Sequence, residues 1–303
     1  MVLPLTYLNG QFLPQAEVQL PLHDAGFVFG ATATDLCRTF HHRFFRLSDH
    51  LVRFRQSCAL ARIPQPVPDA QLTHLAEKLV AHNALLLKPE DDLALVLFAT
   101  PGPIGYYGGV PGGPGDGPPT LGMHTFALPF VRYRSFFERG VSLVVPPTRH
   151  VPASCFDPRA KVRSRLHWWL AEQEAREIEP GAVALLLNHE GGVTETAGAN
   201  VLIVKGGTVV SPPRSSILNG ISLQVVEELC REEGIPFQET VFHVEDCLAA
   251  DEALLTSTPY CVAGVSRFNG RPVPWPGPVW KRLLSAWGNH VGLDIAGQIL
   301  AQR

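Results

Sequence analysis

The chemistry this chain could perform starts at Lys161. It ends the run Asp157-Pro-Arg-Ala-Lys161, and Val162-Arg-Ser-Arg-Leu-His-Trp-Trp-Leu-Ala reads as a helix opening directly after it. A lysine at such a junction has a fixed backbone and a stem that can turn inward. Desolvation there disfavours the ammonium and leaves a nucleophilic amine near neutral pH. The chain has five lysines, at 78, 88, 161, 205 and 281, so few others compete for the role. Glu195 lies between a Gly-Gly turn and the apolar run Val201–Val204, as a surface carboxylate or as an inward one that holds a cation. Gly220 stands immediately before a helical pattern, where the free amides and the Ser222 hydroxyl suit either ordinary capping or a phosphate. Ser257 and Thr258 add two hydroxyls after an apolar strand, and Arg53 adds a fixed positive charge. An amine, an acid able to protonate a ring nitrogen, and a cup of amides, hydroxyls and arginine are the parts needed to hold pyridoxal 5'-phosphate.

The elements that must position these groups follow from periodicity and turn chemistry. Residues 5–14 read as two strands around an Asn9-Gly10 hairpin turn. Strands follow at 35–40 and 44–47 around His41-His42-Arg43, and Ser48 and Asp49 are the expected N-cap of a helix running through Arg53 to Leu60. An amphipathic helix spans 69–84 and an apolar strand 92–100. The Pro/Gly-rich loop 101–119 is an active-site cover or a disordered insertion. A strand covers 120–130, and residues 129–137 cross to a second domain. There, strands at 183–187, from 193, at 201–205, at 209–210 and at 252–256 accompany a helix over 221–233. Leu166, Trp169 and Leu170 share one face of the helix after Lys161. The fold class is α+β (mixed α/β), with an N-terminal domain over 1–130 and a C-terminal domain over 131–303.

Composition narrows the classes. A net charge of −3 with scattered basic residues gives no electrostatic case for nucleic acid or an anionic membrane. No apolar run approaches the ~20 residues needed to span a bilayer. The six cysteines never fall at C-x-x-C spacing, and the histidines at 23, 50, 124 and 167 have no metal-ligand spacing, so no metal is expected. The start, Met-Val-Leu-Pro-Leu-Thr-Tyr, lacks the charged n-region of a signal peptide, and a reduced, cytoplasmic setting is expected.

The motifs together resemble class IV aminotransferases, the fold-type IV pyridoxal phosphate enzymes that include branched-chain and D-amino acid aminotransferases and aminodeoxychorismate lyase. Seven stretches carry the resemblance in family order: Tyr7–Gly10, Asp24–Gly30, Phe45–Arg53, Asp157–Lys161, Val193–Asn200, Ile217–Ser222 and Ala250–Thr258. The resemblance implies a small N-terminal α/β domain, a larger C-terminal domain, an active site between them and a homodimer. It implies that Lys161 forms the Schiff base and shuttles the proton, and that Glu195 pairs with the pyridine nitrogen. Arg53, the amides of Ile221 and Ser222, and Thr258 with Ser257 would hold the phosphate, while Leu218 packs on the ring. Phe29, Asp35, Arg38, Tyr106 and Tyr107 would lie on the substrate side. The reaction implied moves an amino group from an amino acid, branched-chain in the commonest members, to a 2-oxo acid; the alternatives are D-amino acid transamination and the aminodeoxychorismate lyase reaction, which forms p-aminobenzoate and pyruvate.

Subgroup markers disagree. Leu166 stands where branched-chain enzymes carry a tyrosine, as it does in D-amino acid enzymes and the lyase, and the Leu218-Asn-Gly-Ile run leans the same way. The Arg-x-His carboxylate trap of D-amino acid enzymes is not visible around 95–110, where Tyr106 and Tyr107 stand instead. Leu36 replaces a threonine of the lyase, and Asp35 and Arg38 line up with branched-chain positions. A non-catalytic relative would have no need to keep both Lys161 and Glu195.

Overall fold

The computed structural model describes residues 2–65, 67–109 and 116–302. It divides into two compact units, Met1–Leu128 with Ala160–Arg165, and Pro129–Arg159 with Leu166–Arg303. Residues 160–165, which the sequence pattern assigns to the C-terminal domain, are thus grouped with the first unit.

The first unit is built on a six-stranded antiparallel sheet. Its strands are β1 (Leu5–Leu8), β2 (Gln11–Pro14), β3 (Ala33–Phe40), β4 (Arg43–Phe44), β5 (Leu93–Thr100) and β6 (Thr120–Ala127), in the order β2-β1-β6-β5-β3-β4. The expected first hairpin is present. Leu8 pairs with Gln11, and both turn residues have positive φ (46° at Asn9, 93° at Gly10), which matches the twist of the strands it joins. Helices α1 (Ala25–Val28), α2 (Leu47–Leu60) and α3 (Asp69–Ala84) complete the unit. Leu51, Phe54 and Cys58 of α2 and Leu72, Ala76 and Leu79 of α3 pack with Leu93, Leu95 and Leu97 of β5 in one core. The two-residue alternation on β5 is that of a strand facing a buried layer.

Two local expectations are corrected here. Helix α2 begins at Leu47, so Ser48 and Asp49 lie in its first turn rather than at its cap. The cap position is Arg46, in a left-handed conformation, and the Arg46 guanidinium donates to Asp49. The 101–119 segment is not wholly irregular: Gly105–Gly108 forms a 3-10 turn and Pro103 bridges to Asp24, while 110–115 lie outside the described residues.

The second unit holds a nine-stranded mixed sheet. Its strands are β7 (Val141–Val144), β8 (Val183–Leu187), β9 (Val193–Thr196), β10 (Asn200–Lys205), β11 (Thr208–Ser211), β12 (Phe237–Glu239), β13 (Glu252–Ser257), β14 (Cys261–Phe268) and β15 (Arg271–Pro272). The order is β12-β11-β10-β13-β14-β7-β8-β9, with β15 on β14. Strands β9 and β10 meet at one register pair, Glu195 with Asn200, at the mouth of the turn that joins them. They then part, β9 to β8 and β10 to β13. Helices α4 (Arg134–Glu138), α5 (Leu166–Ile178), α6 (Ile221–Glu232), α7 (Val244–Leu248), α8 (Pro278–Val291) and α9 (Ile295–Ala301) complete the unit.

Helix α5 begins at Leu166, not Val162. Val162 instead forms an isolated bridge to Ala33 at the start of β3. The face shared by Leu166, Trp169 and Leu170 is the outward one, with Leu166 70% and Trp169 62% exposed. Trp168, Ala171 and Ala175 form the buried face. Periodicity identified the helix, but small alanines and one tryptophan, not the largest apolar residues, let it approach Val144, Ala184 and Leu186.

Leu97 is fully buried in the first unit's core. Leu97→Ala should lower stability by ~2–5 kcal/mol, read as a shifted urea midpoint at unchanged slope.

Candidate active site

In the first unit the candidate residues are arranged by one helix. Helix α2 buries two adjacent stripes. Leu51, Phe54 and Cys58 enter the apolar core, while His50, Arg53 and Ser57, also buried, form a polar stripe beside them. Arg53 forks onto Asp35 of β3, with Nε to Oδ2 and Nη2 to Oδ1 both at 2.8 Å. His50 adds a bond from Nδ1 to Oδ1 at 2.7 Å, and the Leu36 amide donates to the same oxygen at 2.7 Å. Because a carboxylate only accepts, His50 carries its proton on Nδ1. Burial alone would raise the Asp35 carboxyl, but Arg53 and His50 hold it well below the usual carboxylate range. His50 is pushed below its ordinary value, first by burial and further by the nearby charges of Arg53 and Lys161, against the pull of Asp35.

The same helix fixes the lysine. The Ser57 hydroxyl donates to the Arg53 carbonyl at 2.9 Å and accepts the Lys161 amide at 3.0 Å. The Lys161 carbonyl accepts the Thr34 amide at 2.9 Å, and the Arg163 amide donates to Thr32 at 2.9 Å. Lys161, half-buried, is therefore held as an extra extended segment on the start of β3 with one turn of α2 beneath it. Ser57 was given no role by the sequence. Its signal is a polar residue at i+4 from a buried arginine on a helix whose neighbouring stripe is apolar.

Asp35 and Arg38, expected on the substrate side, are both fully enclosed. Asp35 serves Arg53 and His50. Arg38 donates to the Thr39 carbonyl, faces Asp92 at 3.5 Å and lies over the Phe40 ring. Phe29, Tyr106 and Tyr107 are exposed and meet edge to face or tilted, Phe29 against Tyr107 and Tyr107 against Tyr106.

In the second unit the centre is Glu195, buried at the β9–β10 corner. One carboxylate oxygen accepts the Leu218 amide at 3.0 Å, and the other accepts the Asn200 side-chain amide at 3.1 Å. Asn200 also donates to the Leu218 carbonyl at 2.9 Å, so the loop is clamped at both ends of one residue. His150 donates through Nδ1 to the Val151 carbonyl and brings Nε2 to 3.8 Å from Glu195, with its ring edge on Trp168. Arg214 ties the start of the same loop to Asn219, Glu227 and Glu239.

Gly220 is the residue before α6, whose start has no side-chain cap among the described residues. Its φ is ordinary. What demands glycine is space, because a Cβ would stand 2.1 Å from the Asn200 amide oxygen. The amides of Ile221 and Ser222 are among the first of the helix and have no intrahelical acceptor. Thr258 lies half-buried in the turn after β13. Ser257 donates its hydroxyl to the Gly198 carbonyl at 2.6 Å, which fixes the turn between β9 and β10.

The family profile for class IV amino-transferases matches residues 32–268. The chain belongs to the class IV aminotransferase family. A Methanocaldococcus jannaschii protein named "Putative branched-chain-amino-acid aminotransferase" is 28% identical over 268 residues, 88% of each chain. The D-alanine aminotransferase of Bacillus licheniformis is 26% identical over 292 residues, 93% of this chain and 95% of that one. The branched-chain aminotransferase of Thermoproteus uzoniensis, solved with norvaline, superposes with a TM-score of 0.82 at 25% identity over 95% of each chain. The fold is that of the fold-type IV aminotransferases, and the protein is a pyridoxal phosphate-dependent transaminase.

Class IV aminotransferases use pyridoxal phosphate, and the residues present fit that group. Glu195 is a buried acceptor with an amide on each oxygen, and a carboxylate has about four acceptor positions, so capacity remains for a ring N–H. The start of α6 offers amides and the Ser222 hydroxyl to an anion.

Ser57→Ala leaves the Lys161 amide without its acceptor. It should cost about 1–3 kcal/mol in denaturant unfolding and lower kcat; unchanged values in both would make the bridge incidental. Acid should act on the same cluster. His50 and Asp35 both bind protons less readily when folded, so the stability they contribute is present above their unfolded values and lost on acidification. Urea midpoints should fall first below about pH 6.5 and again below about pH 4, and His50→Gln should remove the first step.

Proposed function

We propose that Lys161 is the catalytic amine of this transaminase and that Glu195 holds the proton on the cofactor's ring nitrogen. The observation that carries this reading is the carboxylate of Glu195, buried and held by one amide on each oxygen. Bound pyridoxal phosphate supplies an electron sink that stabilises negative charge at the substrate Cα. Lys161 Nζ holds the cofactor between turnovers and moves the proton off Cα once a substrate amine has replaced it. By the family resemblance, Arg53, its plane set by the Asp35 fork, would hold the phosphate, as would the Ile221 and Ser222 amides, the Ser222 hydroxyl and Thr258. Leu218 would pack against the ring, and Ser257 would support the cup through its bond to Gly198. Tyr106, Tyr107 and Phe29 form the substrate side. The protein works as a homodimer in the cytoplasm, in keeping with its six free cysteines.

The relatives support two donor classes. Branched-chain amino acids are the leading reading, supported by the Methanocaldococcus relative and the Thermoproteus structure. D-amino acids are the second, supported by the Bacillus relative and by Leu166 in place of a tyrosine.

Visible spectra of the purified protein and of Lys161→Ala test the proposal, before and after addition of a panel of L- and D-amino acids. A cofactor band in wild type that is lost in the variant supports the lysine's role, and the amino acid that bleaches the band names the donor and its hand. A wild-type protein that takes up no added pyridoxal phosphate overturns the reading.

A further inference from the structure

Thr256, on β13, has no partner for its hydroxyl among the described residues. The residue is 2% exposed, and Oγ1 is buried without a hydrogen bond. A buried hydroxyl left unpaired is costly in a folded protein, and such a group in a native site calls for an explanation.

The sheet register says where this hydroxyl stands. Asn200 pairs with Glu195 on one side and with Thr256 on the other, and Thr256 pairs in turn with Val262. Residues directly opposed across antiparallel strands project to the same face, with Cβ atoms about 5 Å apart. Glu195, Asn200 and Thr256 therefore form one row on one face. That face carries the Leu218 loop and the start of α6, since the Asn200 side chain bonds the Leu218 carbonyl and abuts Gly220. Ser257, the next residue, projects oppositely and has its hydroxyl committed to Gly198. The two neighbouring hydroxyls thus differ: Ser257 is spent on the fold, and Thr256 is held in reserve.

We propose that Thr256 is a further cofactor-contact residue, its hydroxyl hydrogen-bonding pyridoxal phosphate bound on the Glu195 face. This rests on the cofactor reading of Glu195 above. An unpaired hydroxyl that a ligand satisfies leaves a signature that a packing role does not. Removing it weakens ligand binding while leaving the ligand-free protein as stable or more so, because the unpaired group is removed with it.

The test is titration of the cofactor-free protein with pyridoxal phosphate, together with its melting temperature, for wild type, Thr256→Val and Thr256→Ser. The expected result is roughly two- to tenfold weaker binding for Thr256→Val, with an unchanged or raised melting temperature in the absence of cofactor. Thr256→Ser, which keeps the hydroxyl, should bind as wild type does. Thr256→Ala repeats the measurement with a smaller side chain if the valine variant does not fold. Equal affinity in the variants lacking the hydroxyl overturns the proposal, as does a loss of ligand-free stability that accounts for the weaker binding. Failure of wild type itself to bind pyridoxal phosphate is a different result: it removes the cofactor reading of Glu195 along with this one.

Discussion

The second unit depends on the meeting of Glu195 and Asn200. One register pair joins β9 to β10, and both of its side chains turn to the same loop. A backbone constraint and a chemical one therefore coincide. The strands part because each has another neighbour, and at the apex the carboxylate is enclosed by amides rather than by a ladder. Gly220 is part of the same arrangement, since any side chain there would displace the Asn200 amide that orients Glu195. His150, Arg214 and Ser257 support it from outside, through the carboxylate, the loop and the turn respectively.

The first unit solves a comparable problem by helix geometry. A helix that buries one stripe against apolar neighbours has an adjacent stripe 100° around, and α2 uses it for His50, Arg53 and Ser57. The cost of burying an arginine is offset by the bidentate Asp35, whose remaining acceptor capacity is filled by His50 and the Leu36 amide. Ser57 then links that charged cluster to Lys161 through a single hydroxyl, so the orientation of the guanidinium and the position of the lysine backbone share one helical turn.

Much of this was legible in the sequence, for identifiable reasons. The Asn9-Gly10 turn, β5 and α6 follow from turn chemistry and periodicity, which are local. Lys161 and Glu195 stand out as candidates through motif context. What sequence could not supply was direction. Leu166, Trp169 and Leu170 mark the helix correctly but point outward, because close packing of α5 selects Ala171 and Ala175 instead. Asp35 and Arg38 lie three apart on a strand and look like a polar pair for a substrate. Each is claimed by a partner distant in sequence, Arg53 in one case and Asp92 in the other. The end of α2 that Ser48 and Asp49 advertise is set by the left-handed Arg46. Roles that arise only from cross-strand register, such as the one proposed for Thr256, have no local signal at all.

Strands that share one register position and then separate have no run of cross-links to hold them together. Opening such a corner locally breaks the Asn200 bonds together with the Thr196–Ala199 bonds across the turn and the Ser257 bond to Gly198, a short and local set. A ligand held by Glu195 binds the closed corner and not the frayed one, and by mass action it lends its own binding free energy to the closed form. Occupancy and local rigidity become one quantity at this point. On the cofactor reading of Glu195, the corner that takes the ligand is also the one the ligand fastens.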